Sequence, residues 1–218
     1  MIHSFDWNSF NFLLFGARWT VVLSALTFVI GGFFGLIFAL LRTLGPRPVQ
    51  LLIASYIQLV QATPLLIVVF LAFYGLSFLG LYFPPLVAAG LSLSIYTTAF
   101  LADIWRGCIE AIPRQQWEAA DSLALSGTQK LRYVILPQAF KIALGPTVGF
   151  MVQIVKNTSV TALIGFVELT RAGQLLNNMT FQPFQVFLTV AAIYFVFCYP
   201  LSHLSERLKG KRNVRPAY

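Results

Sequence analysis

Of the 218 residues, 58% are hydrophobic and only 10% are charged, and the mean hydropathy is +0.77, whereas soluble domains carry about 25% charged residues. That balance excludes an ordinary soluble domain and leaves room for one domain of a few packed spanning helices, each crossing taking roughly 20 apolar residues. The net charge of +8 falls between the apolar runs, so it reads as an orientation signal and not as nucleic-acid binding.

Residues 1–16 lack a cationic stretch and carry Asp6, so they do not read as a cleaved secretory signal. Phe5, Trp7, Phe10, Phe12 and Phe15 beside Asn8 and Asn11 predict a segment lying at the outer interface, where aromatic rings settle. A transmembrane domain over residues 17–206 then holds five spans. The first, 17–41, is uncharged from Thr20 onward and carries Gly31, Gly32 and Gly35 as a small-residue stripe for close packing. The second, 51–78, is interrupted by Gln61-Ala62-Thr63-Pro64. The third, 83–105, ends at Asp103 and Arg106, which read as an intrahelical pair at the membrane boundary. The fourth and fifth cover 140–159 and 184–204, and residues 207–218 form a basic tail. Continuous apolar runs, not alternating ones, predict an all-α integral membrane protein and not a β-barrel.

Cations orient the spans. Arg42 and Arg47 follow the first; Arg106, Arg114, Lys130, Arg132 and Lys141 lie between the third and fourth; Arg207, Lys209, Lys211, Arg212 and Arg215 follow the fifth. The opposite connections carry only Arg171, so the N-terminus is expected outside and the C-terminus in the cytoplasm. Cys108 and Cys198 fall on different levels and read as packing residues. His3 and His203 have no neighbouring ligands, so no metal site is expected, and no cluster of nucleophile and base suggests an enzyme.

A polar insert, residues 107–137, separates the third and fourth spans. Pro113 suits the first turn of a helix, after which Trp117, Ala120 and Ala124 recur at helical spacing and leave Glu118 and Asp121 on an adjoining face. Gly127 is expected to supply a turn into a second amphipathic run through Leu131, Val134 and Ile135 to Pro137. The result is a helix–turn–helix on the cytoplasmic surface, too short to fold without a partner. The plainer reading of Glu118 and Asp121 is a solvated face paired with Arg114.

This stretch resembles the EAA loop of bacterial ATP-binding-cassette (ABC) importer permeases, in which EAA, three residues, Gly, nine residues, Ile, any residue and Leu-Pro follow in order: Glu118-Ala119-Ala120, then Ala124, Val134 and Leu136-Pro137. YIQLVQATPLLIVVF, FLADIWRGCIEAIPRQQWEAA, LPQA, KNTSVTALIGFVEL and IYFVFCYPLS are similar to the polar amino acid branch (histidine, glutamine and glutamate permeases), across nearly the whole chain. The resemblance implies a type I ABC importer fold in a bacterial inner membrane, pairing with an identical or homologous permease, two copies of a cytoplasmic ATPase and an external solute-binding protein. It implies coupling to the ATPase through Glu118, Ala119, Ala120, Asp121, Leu123, Ala124 and Gly127. The chain has no phosphate-binding loop, so ATP and Mg are expected on the partner ATPase and no cofactor on this chain. The sequence departs from the branch where Ala124 replaces the motif glycine, expected inside a helix, and where Arg-Gly-Thr-Pro and Lys-Asp-Thr-Ser become Gln61-Ala62-Thr63-Pro64 and Lys156-Asn157-Thr158-Ser159.

Polar residues at breaks in spans mark a path, since irregular backbone at membrane depth is tolerated where it lines a cavity. The candidates are Gln61, Thr63, Tyr96, Gln153, Lys156, Asn157, Thr158 and Ser159. Lys156 either lines that path or snorkels to the outer interface. With Asp103 the only acid within the spans and Asn157 where the branch often has Asp, the expected substrate is an acidic or amide amino acid, glutamate, aspartate or glutamine. The alternative is a basic one. A secondary transporter or channel fits less well, because no internal repeat is evident.

Overall fold

The computed structural model describes residues 5–210, and among them every regular element is helical. The helices are α1 (Trp7–Leu44), α2 (Arg47–Ala62), α3 (Leu65–Phe78), α4 (Pro85–Glu110), α5 (Arg114–Ser122), α6 (Gly127–Ile164), α7 (Leu169–Thr180) and α8 (Pro183–Gly210). Four of them are long and apolar enough to cross a membrane, and the bent pair α2–α3 brings the number of candidate spans to five when it is taken as one broken span. Prolines set several starts: Pro64, Pro84 and Pro113 cap α3, α4 and α5, positions where a missing N–H costs no helical bond. At Thr63-Pro64 the chain turns through 104°, because the residue before a proline is driven out of the α region.

Four boundaries differ from the expectation. Residues 7–16 are not separate from the first span but are the opening turns of α1, whose first N–H groups are met by Asp6; its Oδ1 accepts from Ser9 N at 2.8 Å. The second arm of the polar insert is not a separate surface helix either, since Gly127–Ile164 runs as one 38-residue helix. A π turn over Lys130–Ile135 ends with one residue, Leu136, between it and Pro137, and its wider backbone takes up the missing N–H and the ring that would otherwise break the helix. At the other end α6 tightens into a 3₁₀ turn over Thr158–Ile164 and stops at Gly165, whose φ is 84°. Finally, α8 extends through Arg207 and Lys209, so the expected basic tail begins as helix, and residues 211–218 lie outside the described residues.

Lipid tails are as apolar as leucine, so close contact and internal hydrogen bonds hold these helices together more than transfer from water does. The tightest contact is α1 against α4: a Cβ at Gly31 would lie 2.5 Å from Thr97 Cγ2, and one at Gly35 3.1 Å from Leu101 Cβ. Gly32 has more room. Towards the N-terminal end of α1, Leu13 and Ala17 pack with Leu169, Ala172, Val186 and Val190. At the far end of α4, Ile109 and Ile112 pack with Ile135 and Ala139. The large apolar side chains left exposed, among them Phe33, Leu59 and Phe195, form the surface expected of a bilayer-embedded protein.

Candidate functional site

The insert is a short helix laid against the ends of two spans. On α5, Ala120 is buried, and Trp117 packs half-buried against the cluster of Ile109, Ile112 and Ile135. Gln138 Nε2 of α6 donates to Gln116 Oε1 at 3.1 Å. The opposite side of the arm, Glu118, Ala119, Asp121 and Leu123, is exposed, and Leu123 retains 73% of its surface. Asp121 pairs with Lys130, not with Arg114, and among the described residues Glu118 makes no ion pair.

The turn out of α5 is made by Ala124 and not by Gly127. Ala124 has φ 51°, Leu125 N donates to Ala120 O at 3.2 Å and Ala124 N to Asp121 O at 2.9 Å. This is the left-handed helix-end motif that favours glycine. The motif position is thus a turn residue and not a helix interior, and alanine holds the conformation at a cost that glycine avoids. Gly127 is the first residue of α6, after Ser126, whose Oγ accepts from Gln129 N.

The predicted path residues divide into groups. Tyr96, Gln153 and Asn157 come together on facing sides of α4 and α6: Gln153 Nε2 donates to Asn157 Oδ1 at 3.2 Å, and Asn157 Nδ2 is buried beside the Tyr96 hydroxyl without a hydrogen bond of normal geometry. Tyr96 stacks on Phe100, which stacks on Phe150, with ring centres 4.4 and 5.4 Å apart. Lys156 faces α8, lining a hollow of about 380 Å³ with Tyr194, Cys198 and Ser202. Thr158 is buried and donates to Val155 O at 2.8 Å, and Ser159 donates to Lys156 O at 2.7 Å, so both hydroxyls serve their own backbone. Thr63 does the same, donating to Leu59 O at 2.7 Å. Gln61 stands apart from Asn157, beside the Asp103 carboxylate.

Asp103 is more than half of an intrahelical pair. Its Oδ1 lies 2.9 Å from Arg106 Nη2 and 3.1 Å from Arg42 Nη1, and Arg106 also pairs with Glu110, so the cluster ties α4 to α1.

Sequence reading missed Glu168. It is fully buried and caps α7, with Oε1 accepting from Arg171 N at 2.8 Å and Oε2 from Thr170 N at 2.9 Å. The Tyr194 hydroxyl of α8 donates to Oε2 at 2.9 Å, and Thr20 of α1 lies 3.5 Å away. Burial pushes its carboxyl above the usual carboxylate range, opposed by the N–H groups of α7. A lone acid immediately before a new amphipathic run, Leu169-Thr170-Arg171, was the available signal for a helix cap.

Residues 31–211 match the model of the family described as binding-protein-dependent transport system inner membrane component. The chain belongs to that family. It is 32% identical over 213 residues to the probable glutamine ABC transporter permease GlnP of Bacillus subtilis, covering 96% of this chain and 94% of that protein. It is 30% identical over 216 residues to the glutamine transport system permease GlnP of Escherichia coli, covering 96% and 99%. Among solved structures, an amino acid ABC transporter crystallised with histidines superposes with a TM-score of 0.87 at 32% identity, covering 92% of this chain and 94% of that one. The inward-facing MetNI methionine transporter, at 18% identity and a TM-score of 0.67, shares the fold. This member is therefore an ABC importer permease, a multi-pass protein of the cytoplasmic membrane that works with a separate ATPase and a solute-binding protein. It is a transporter subunit and not itself an enzyme.

Proposed function

We propose that this permease passes an acidic or amide amino acid, with glutamine and glutamate foremost, from an external binding protein to the cytoplasm. The N-terminus lies outside and the C-terminus inside, as the cation distribution requires. The observation that carries the substrate reading is the uncharged cluster of Tyr96, Gln153 and Asn157, which offers amide and hydroxyl groups and no carboxylate. A cationic side chain on that path would want an acid to pair with. Asp103 is already held by two arginines, and Glu168 is engaged by four groups. The glutamine permeases among its relatives support the same class. The similar transporter solved with histidines favours the second reading, a basic substrate.

Coupling runs through α5. Two copies of the ATPase, which hold ATP and Mg, receive the exposed side of the arm, Glu118, Ala119, Asp121, Leu123 and Ala124, from a pair of identical or homologous permeases. Trp117 transmits the movement to α4 and α6 through the shared apolar cluster, a rigid-body displacement that switches the spans between two packings.

The test is uptake of labelled glutamate and glutamine by the complete importer, with unlabelled amino acids of each charge as competitors and an ATPase-dead control. Competition by acidic and amide amino acids that vanishes in the control is expected. Competition confined to arginine, lysine or histidine removes the substrate reading, and uptake that survives the dead ATPase removes the coupling. Asn157→Asp should move the competition profile towards cationic substrates.

A further inference from the structure

A hollow of about 330 Å³ lies between α1, α4 and α6, walled by Leu36 of α1, Trp105 and Ile109 of α4, and Leu136, Phe140 and Val148 of α6. The indole N–H of Trp105, one of its few polar groups, is already donated to Thr147 Oγ1 at 2.8 Å. What remains is a hydrocarbon wall, on which the charged groups of an amino acid would find no partner. On α6, Gln153 and Lys156 lie about 120° or more round the helix from the middle of this wall, at 3.6 residues per turn, so the hollow does not face the candidate path. Leu36 and Phe140 remain exposed, on the kind of apolar surface that meets a bilayer.

Two cations flank the wall. Lys141 follows Phe140, and Arg132 precedes Leu136 by about one turn and lies over the Tyr133 ring at 5.8 Å; all three side chains are exposed. Among the described residues neither cation makes an ion pair, and Glu110, the acid next to Ile109, is held by Arg106. Helical side chains lean towards the helix start, which lets the Lys141 ammonium reach back about one turn, to the level of Gln138. From that level to Val148 is about 15 Å at 1.5 Å per residue. One leaflet of hydrocarbon is as thick, half of about 30 Å. Tyr133 and Arg132 then stand in the headgroup layer, where amphipathic rings and cations settle.

We propose that this groove seats one acyl chain of an anionic phospholipid, with Lys141 on the phosphate and Arg132 and Tyr133 beside the headgroup. A zwitterionic lipid brings the same tail but carries its own counter-charge, whereas phosphatidylglycerol leaves its phosphate free for Lys141. Ile109, Leu136 and Ala139 belong both to this wall and to the cluster on which Trp117 rests, so a seated chain backs α5 from within the bilayer. The inference needs only that the protein spans a membrane. Neither the substrate nor the direction of transport enters it.

In the experiment the permease–ATPase complex is stripped of lipid in detergent, and its thermal stabilisation is titrated with phosphatidylglycerol and with phosphatidylcholine of the same acyl chains. Phosphatidylglycerol should half-saturate at a concentration about fivefold lower, the advantage of one basic residue at an anionic headgroup. Lys141→Gln should remove that advantage and Lys141→Arg should keep it. Ala143→Phe, which fills the hollow from α6, should abolish it with Lys141 still in place. Equal half-saturation by the two lipids in the wild type overturns the site whatever the variants do. An advantage that survives Lys141→Gln or Ala143→Phe overturns it as well, since the headgroup or the tail then sits elsewhere. A disulfide between two permeases bearing Phe140→Cys gives this face to a second copy of the chain, and likewise overturns the lipid seat.

Discussion

The two ends of the helix bundle are held by opposite means. Around Glu168, α1, α7 and α8 meet on a buried carboxylate whose partners are backbone N–H groups and hydroxyls of the same chain. At the proposed coupling arm, α5 is held by an apolar cluster, one amide hydrogen bond and the Asp121–Lys130 ion pair, and it leaves Glu118 without an ion pair and Leu123 largely bare. The difference teaches where the molecule is finished and where it waits. An end whose buried acid is satisfied internally is a fixed platform, and an end with one covered face needs a second protein to be complete.

Substitutions can break that contrast. Glu168→Ala should have the largest effect, destabilising the protein by about 3 kcal/mol through loss of the cap and of bonds to a charged acceptor, read as a fall in melting temperature and in accumulation in the membrane; a stable, abundant variant would show that the platform lies elsewhere. Ala124→Gly should act in the other direction. Relief of the left-handed alanine should stabilise the arm by about 1 kcal/mol, visible as slower amide exchange at residues 119–126 with little change elsewhere. Glu118→Lys should be the smallest in stability, within about 0.5 kcal/mol, yet should reduce coupled uptake at equal expression. A change in melting temperature without a change in uptake would turn that side of the arm from a docking face into a structural one.

The spans were legible because twenty apolar residues in a row admit few other readings. The bend at Thr63-Pro64 and the glycine stripe of α1 were legible too, since proline and glycine act through backbone geometry that does not depend on context. Less was visible where the backbone departs from one regular period. Pro137 reads as a stop unless the π turn before it is known, and Ser159 reads as an end because a 3₁₀ continuation leaves no signature in the sequence. That span end left Lys156 open to snorkelling at the outer interface, whereas the helix continues to Ile164 beyond it. Ala124 was hidden for a related reason, as alanine is the best helix former and gives no hint of a left-handed turn. Glu168 was overlooked because its importance comes from Thr20 and Tyr194, which are 148 and 26 residues away in the chain.

The contact between α1 and α4 has a mechanical meaning. Where glycine backbone touches threonine and alanine on the neighbouring helix, no rotamer can adjust to absorb a displacement, so the pair behaves as a single stiff beam. Its lower end is pinned by the Arg42–Asp103 ion pair, and three residues beyond α4 the chain enters the coupling arm. For a beam about 40 Å long at 1.5 Å per residue, a tilt of about 10° about its middle moves each end by about 3 Å. Under the proposed coupling, a modest push on α5 would arrive at the far end of the bundle as a lever stroke comparable to the width of a water molecule.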